Sequence, residues 1–282
     1  MTGGRVRMAV AVAVEAAARW VSRPLPVADL AAPALVLAPH QDDETLGCGG
    51  LVALKCARGV GVVVAFLTDG RTSHARFLEA DVLAGRRREE AIAACGTMGV
   101  PRGSVHFLGF RDGELAIALE AATESLVTLL RDHPDHVILA PYAGDTTSDH
   151  RATLEAALRA VAALEPGRER VLLEYPVWFW HHWPWICPPV GRRLHRPAAL
   201  LAGLRAAASR IRHLRYRVDI DAVLSTKRQA LDCHVTQMRR PDDRPDWPVL
   251  ADVADGEWLA CFFTGREHLR RRVLRTGSGA RP

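Results

Sequence analysis

Short apolar runs alternate with longer amphipathic stretches along roughly the first 165 residues of the chain. The runs ALVLAP (34–39), VGVVVAFLTDG (60–70), SVHFLGF (104–110) and HVILAPY (136–142) are short, rich in β-branched and apolar residues, and read as strands. The intervening TLGCGGLVALKCARG (45–59), AGRRREEAIAACGTMGV (84–100) and ELAIALEAATESLVTLLRDH (114–133), and the following SDHRATLEAALRAVAAL (148–164), read as helices. Alternation of strand and helix predicts an α/β fold: three layers around a mostly parallel, doubly wound, Rossmann-like sheet. The second half is less regular. RVLLEYPVW (170–178) predicts a fifth strand, WFWHHWPWICPP (178–189) a loop, 198–213 a basic, alanine-rich helix, and YRVDI (216–220) a short strand. VLSTKRQALDCHVTQM (223–238) predicts one helix and DGEWLACFFTG (255–265) a final apolar strand. The expected organisation is a single domain: an N-terminal helix within 1–32, the α/β core over 33–165, an irregular C-terminal part over 166–265 folded across the sheet edge, and a basic tail over 266–282.

Composition narrows the class. A chain of 282 residues, 49% apolar and 24% charged, can build a sizeable core without disulfides. Cys48, Cys56, Cys95, Cys187, Cys233 and Cys261 are far apart, show no CxxC spacing, and read as small buried apolar residues of a reducing compartment. The opening MTGGRVRMAVAVAVEAAARW begins like a signal peptide, but Glu15 and Arg19 interrupt the apolar run, which favours an amphipathic helix. No segment approaches the ~20 apolar residues of a membrane span, so no stable membrane insertion and a cytoplasmic location are expected. The net charge of +5 is scattered, apart from REHLRRRVLR (266–275), expected to be a solvated helix face with a frayed end, the alternative being a contact with an anionic partner or membrane surface. Nucleic acid is therefore not an expected partner.

Candidate chemistry gathers where strands end. Ligands of open α/β sheets bind beyond the carboxyl ends of the strands. There stand His40, Gln41, Asp42, Asp43 and Glu44 after the first strand, Asp69 after the second, and AGDTTSDH (143–150) after the fourth. A catalytic zinc takes three His or carboxylate ligands and keeps one position open. His40 and Asp43, three apart where strand becomes helix, can share one ion, with His150 as the third ligand. Asp42 then stays free to act as general base. One divalent ion, Zn2+, is the expected cofactor. Asp69, Asp145 and Asp149 are read as turn residues or as partners that orient the ligating imidazoles. DHPDH (132–136) has the composition of a metal cluster, but it precedes the fourth strand and so lies at the opposite edge of the sheet. His181 and His182 either line a cleft or lie on the surface.

PHQDDETLGCGG resembles the PHPDDE signature of the LmbE/PIG-L family of zinc-dependent de-N-acetylases. LTDG (67–70), RRREEAIAACGTMG (86–99), FLGFRDGEL (107–115), GDTTSDHRAT (144–153) and KRQALDCHVTQ (227–237) resemble further blocks of that family, in order. The resemblance implies His40, Asp43 and His150 as zinc ligands and Asp42 as base. It also implies Arg87 and Asp112 as holders of sugar hydroxyls; the alternatives are a surface Arg87 paired with Glu90 and an Asp112 that caps a turn. The usual proline of the signature is Gln41. Where many relatives carry a histidine that helps stabilise the oxyanion or protonate the leaving amine, this chain has Thr147, which offers one hydrogen bond and no proton at neutral pH. Either another group takes over that role, with His234 the first candidate, or the reaction leans more on zinc and Asp42. The GCGG run lacks a Walker lysine and reads as close helix–sheet packing. The rings of YPVWFWHHWPW (175–185), Trp178 among them, either pack on the sheet or form a platform for a sugar or apolar aglycone.

The resemblance implies removal of an acetyl group from an N-acetylglucosamine-type glycoconjugate, so a small molecule or glycoconjugate is the expected partner. Alternatives are a non-catalytic or degenerate sugar-binding homologue, or an amidase acting on a non-sugar amide. A serine hydrolase would need G-x-S-x-G, and a dinucleotide enzyme a glycine fingerprint after the first strand; neither is present. The sequence says nothing of oligomeric state.

Overall fold

The computed structural model describes residues 2–186 and 197–277. In chain order the elements are α1 (Thr2–Val21), β1 (Arg23–Pro24), α2 (Val27–Ala31), β2 (Ala34–Ala38), α3 (Asp43–Ala57), β3 (Val62–Thr68), α4 (Ala80–Thr97), β4 (Val105–Phe110), α5 (Leu119–Asp132), β5 (Val137–Pro141) and α6 (Ser148–Ala162). They continue with β6 (Glu169–Tyr175), α7 (Pro197–Arg212), β7 (Tyr216–Asp219), α8 (Leu224–Asp232), α9 (Val235–Met238), α10 (Glu257–Ala260) and β8 (Arg266–Arg275), with short 3-10 turns between some of them.

Among the described residues eight strands form one sheet in the order β1-β7-β8-β6-β5-β2-β3-β4. Strands β4, β3, β2, β5 and β6 are mutually parallel, and every residue of β2, β3 and β5 is buried. Alternate residues of β2 feed different cores. Val36 and Ala38 pack with α3 and α4 residues on one face; Leu35 and Leu37 pack with α5 and α6 residues on the other. Burial on both faces is why these strands read as unbroken apolar runs. The chain winds β2, β3, β4 to one side and then returns to place β5 on the other side of β2. The carboxyl ends of β2 and β5 thus flank the topological switch point, where such sheets bind ligands.

The GCGG run is a packing device, and it bends α3. A Cβ on Gly47 would lie 2.1 Å from the Tyr175 ring, and one on Gly50 2.6 Å from Ile220. The helix breaks at Cys48 (φ −146°, ψ 15°). The amides left free beyond the break, Gly50 N and Leu51 N, donate to Glu267 at 2.7 and 2.8 Å. Lys227 Nζ, also buried, neutralises that carboxylate at 2.8 Å.

Three expectations fail in the C-terminal part. The stretch 255–265 is not a strand; it forms 3-10 turns and the short α10. Its apolar Trp258 and Phe262 face the core at helical spacing. The basic stretch 266–275 is not a solvated helix face: it is β8, antiparallel to both β6 and β7. Arg270 and Arg272 meet Glu174 of β6, and Arg271 meets Asp29, so distant acids neutralise the run inside a sheet. The helix expected over 223–238 is two, α8 and α9, broken at Cys233 and His234. Cys48 and Cys95 are buried, Cys56, Cys233 and Cys261 half-buried, and all five are free thiols; Cys187 lies outside the described residues.

Candidate metal centre and active site

The loop from β2 into α3 delivers the first residues of the site. His40 is half-buried, while Asp42, Asp43 and Glu44 are buried. Asp42 occupies φ 150°, ψ −24°, a conformation that costs an L residue about 1–3 kcal/mol and is met chiefly at functional sites. That turn sends Asp43 and Asp42 in different directions. Asp43 Oδ2 accepts from His40 N at 2.9 Å and lies 3.2 Å from both His40 Nδ1 and His150 Nε2. His150, on the first turn of α6, reaches it from across the switch point. His40, Asp43 and His150 form a trio whose ligand atoms all lie within 4.8 Å of one another.

The outer nitrogens of both imidazoles are taken. His150 Nδ1 lies 2.8 Å from Asp145 Oδ2, and Asp145 is itself held by the amides of Val177, Trp178 and Phe179. His40 Nε2 lies 3.2 Å from both Asp112 Oδ1 and Asp149 Oδ2. Asp112 is fixed by Thr72 N and Oγ1 (3.1 and 2.7 Å), and Asp149 by Gly113 N (2.7 Å). With the protons drawn outward, the inner nitrogens aim lone pairs at a carboxylate oxygen; His150 Nε2 is buried without a hydrogen-bond partner. Such an arrangement demands positive charge at its centre. Protons can supply it: burial opposes protonation, yet Asp43 and Asp145 push His150 up to about 9. Against the same burial, Asp112, Asp149 and Asp43 raise His40 well above its ordinary value. Burial also opposes ionisation of Asp43, but the two imidazoles hold its carboxyl well below the usual range. A divalent cation meets the same demand, and two imidazoles with one carboxylate are a zinc-type donor set. The residues fit the ion.

Asp42 faces the same cavity, of about 200 Å³, which His40, Asp43, Thr72, Arg87, Asp112, Thr147, Trp178 and Gln237 help to line. Asp42 Oδ2 accepts from Gln237 Nε2 at 2.8 Å and lies 3.6 Å from Arg87 Nη2. Burial pushes its carboxyl above the ordinary range, against the pull of Arg87 and His234. Arg87 is buried and does not pair with Glu90. It donates to Gln41 O at 2.7 Å and Gly70 O at 3.2 Å, while Glu90 receives Thr236 N and Oγ1. Thr147 precedes α6 without capping it, and its Oγ1 is buried without a partner. Gln41 is buried outside the cavity wall, its side chain donating to Thr68 O at 2.7 Å.

Other residues lie elsewhere. His234 is fully buried, does not line the cavity, and places Nε2 3.1 Å from Glu44 Oε1; Glu44 in turn receives Asp42 N at 3.1 Å. His234 therefore braces the Asp42 turn from behind, outside the cavity wall. Asp69 accepts from Arg71 and from Asp112 N, which makes it a turn residue supporting Asp112. His181 and His182 are not in the cavity wall. The aromatic loop divides its rings: Phe179 and Trp180 enter the core, while Trp178 stacks on Trp258 (4.8 Å between centroids, 21°) with a face to the cavity. The loop 132–136 is tied to Arg170, which donates to His133 O and His136 O. The sequence reading passed over Gln237; its signal was the last position of the KRQALDCHVTQ block.

Fold and cluster together define a doubly wound α/β protein with a cation-ready His–Asp–His site at its switch point. Residues 35–161, less than half of the chain, match the family model described as PIG-L: GlcNAc-PI de-N-acetylase. The diacetylchitobiose deacetylase of Thermococcus kodakarensis is 32% identical over 123 residues, 42% of this chain and 44% of that protein, so the match spans less than half of that relative. The 1D-myo-inositol 2-acetamido-2-deoxy-alpha-D-glucopyranoside deacetylase of Rhodococcus opacus is 27% identical over 259 residues, 78% of this chain and 86% of that protein. Among solved structures, the N,N'-diacetylchitobiose deacetylase of Pyrococcus horikoshii superposes with a TM-score of 0.59 at 22% identity, over 86% of this chain and 84% of that one, a likeness of fold. Among the described residues no helix is long and apolar enough to cross a membrane.

Proposed function

We propose that the protein is a metal-dependent amide hydrolase that removes the acetyl group from an N-acetylglucosamine-type amino sugar in a glycoconjugate. The observation that carries this reading is the convergence of His40 Nδ1, His150 Nε2 and Asp43 Oδ2 beside a buried Asp42 that takes no part in the cluster. The relatives' names, deacetylases of acetamido sugars, support the substrate class. His40, Asp43 and His150 would hold the cation. Zinc bound there would supply charge to polarise an amide carbonyl and acidify a nearby water.

The chain's own groups do the rest. Asp42 accepts the proton of the attacking water and returns it to the departing amine, a reading supported by the position of His234 outside the cavity wall. Gln237 and Arg87 hold the Asp42 carboxylate in place. Thr147 lines the cavity and its Oγ1 is buried without a partner, so a turn of its side chain would supply one donor to the developing oxyanion. Arg87 and Asp112 offer contacts to sugar hydroxyls, and the Trp178 face offers a stacking surface for the ring or aglycone.

The experiment is a zinc determination followed by assay of acetate and free amine from a panel of N-acetylglucosamine conjugates, with and without chelator. Chelator-sensitive release supports the reading. Asp42→Asn is expected to keep its metal and lose about 10²–10⁴ of turnover; full turnover would refute the base assignment. Sugar binding by a protein without chelator-sensitive release would instead favour a non-catalytic homologue, and release from non-sugar amides alone an amidase.

A further inference from the structure

A second cavity, of about 190 Å³, lies away from the His–Asp–His cluster and shares none of its residues. Its wall brings together Arg19 of α1, Arg210 of α7, Arg217 of β7, Arg266 and His268 of β8, and Trp185 of the aromatic loop. The sole acid in the wall among the described residues is Glu15. It is spent on Arg210, which meets it at 2.9 and 3.2 Å. Arg266 is paired with Asp219 at 2.7 Å. Among the described residues two guanidiniums remain without an acid. Arg217 donates only to the neutral Ser22 O and Oγ, at 2.8 and 3.2 Å, and Arg19 has no acidic partner among the described residues.

Glu15 and Asp219 offset two of the four guanidiniums around the hollow; the other two, Arg19 and Arg217, repel one another unless an anion enters it. His268 registers the same field. Burial and then Arg210, Arg266, Arg217 and Arg19 hold its imidazole well below the ordinary value, and its Nδ1 is buried without a hydrogen-bond partner. Two uncompensated positive charges match the −1.5 to −2 of a phosphomonoester, whose oxygens suit the planar, multi-donor guanidinium. The volume exceeds that of a phosphate group alone and leaves room for an attached moiety against the indole of Trp185.

We propose that this cavity is a binding site for a phosphomonoester, with Arg19 and Arg217 as its principal anion contacts. The ligand would bridge α1, β7 and β8, and it would sit behind the loop whose other side presents Trp178 to the proposed catalytic cavity. The site does not depend on the deacetylase reading.

Two sources share this chemistry, a soluble phosphorylated metabolite and a lipid headgroup. Trp20, 90% exposed beside Arg19, makes the second worth an arm of the test. The full-length protein at low ionic strength is titrated calorimetrically with inorganic phosphate, a sugar phosphate and the unphosphorylated sugar. It is also sedimented with phosphatidylcholine vesicles with and without phosphatidic acid. Saturable binding is expected for a phosphate-bearing probe and not for the neutral sugar. Arg19→Ala, which removes an exposed side chain and leaves the fold intact, and Arg217→Ala should each weaken it at least tenfold. Arg228→Ala, whose side chain packs over Phe263, should leave it unchanged. A sugar phosphate that outbinds inorganic phosphate assigns a soluble ligand; Arg19-dependent sedimentation with phosphatidic acid assigns a lipid. Absence of saturable binding in every arm, or equal affinity in wild type, Arg19→Ala and Arg217→Ala, overturns the proposal.

Discussion

Gln237 Nε2 donates to Asp42 Oδ2 at 2.8 Å across 195 positions of sequence. Asp42 sits on a strained turn after β2, and Gln237 on the single turn of α9. The bond spans the two ends of the recognisable blocks and fixes one rotamer of the proposed base. Gln237→Ala removes it and leaves Arg87 as the remaining close partner. Turnover of an acetamido sugar is expected to fall about tenfold with metal content unchanged, in line with the roughly 1.5 kcal/mol carried by one hydrogen bond to a charged group. A parallel loss of metal would move Gln237 from positioning the base to supporting the ligands.

Asp145 tests the outer half of the candidate metal centre. It holds His150 Nδ1 and takes three loop amides, so Asp145→Asn keeps the shape and weakens the pull on the imidazole proton. Metal affinity should drop about 10- to 100-fold, read by competition with a fluorescent chelator. Unchanged affinity would show that α6 alone aims His150.

Gly47 tests the close approach of α3 to β6. A methyl group there would stand 2.1 Å from the Tyr175 ring, whose hydroxyl donates to Leu37 O at 2.8 Å. Gly47→Ala should therefore destabilise the protein by about 1–3 kcal/mol through overpacking, seen as a lower denaturant midpoint. Because Leu37 is close to the His40 turn, metal affinity should fall with it.

His268 sets a pH dependence of stability. Burial and the arginines facing it, Arg210, Arg266, Arg217 and Arg19, hold its folded pKa well below the ordinary value. Between the two pKa values the unfolded chain binds a proton that the folded chain refuses, so stability rises with pH in that window. The contribution is full above about 6.5, the unfolded value, and is lost as pH falls below it. Denaturant midpoints measured from pH 7.5 to 5 should show this slope, and His268→Gln should flatten it. An unchanged slope in the variant would place the acid sensitivity elsewhere.

The sequence by itself determined the parallel core and the inner site. Strands β2, β3 and β5 are buried on both faces, so each is an apolar run whose end is marked by the first polar residue. Those ends carry His40, Asp69 and Asp145, and the spacing of three between His40 and Asp43 is a local property of one turn. Tertiary structure decided the rest, because the deciding partners are remote. REHLRRRVLR is highly charged, and only Glu174, Asp29 and Glu267, supplied or satisfied by other elements, make it a sheet strand. Spacing in DCHVTQ offered His234 as readily as Gln237. The break between α8 and α9 turns the histidine inward to Glu44 and the glutamine out to Asp42, since one buried carboxylate and one cavity carboxylate lie on opposite sides of the same turn.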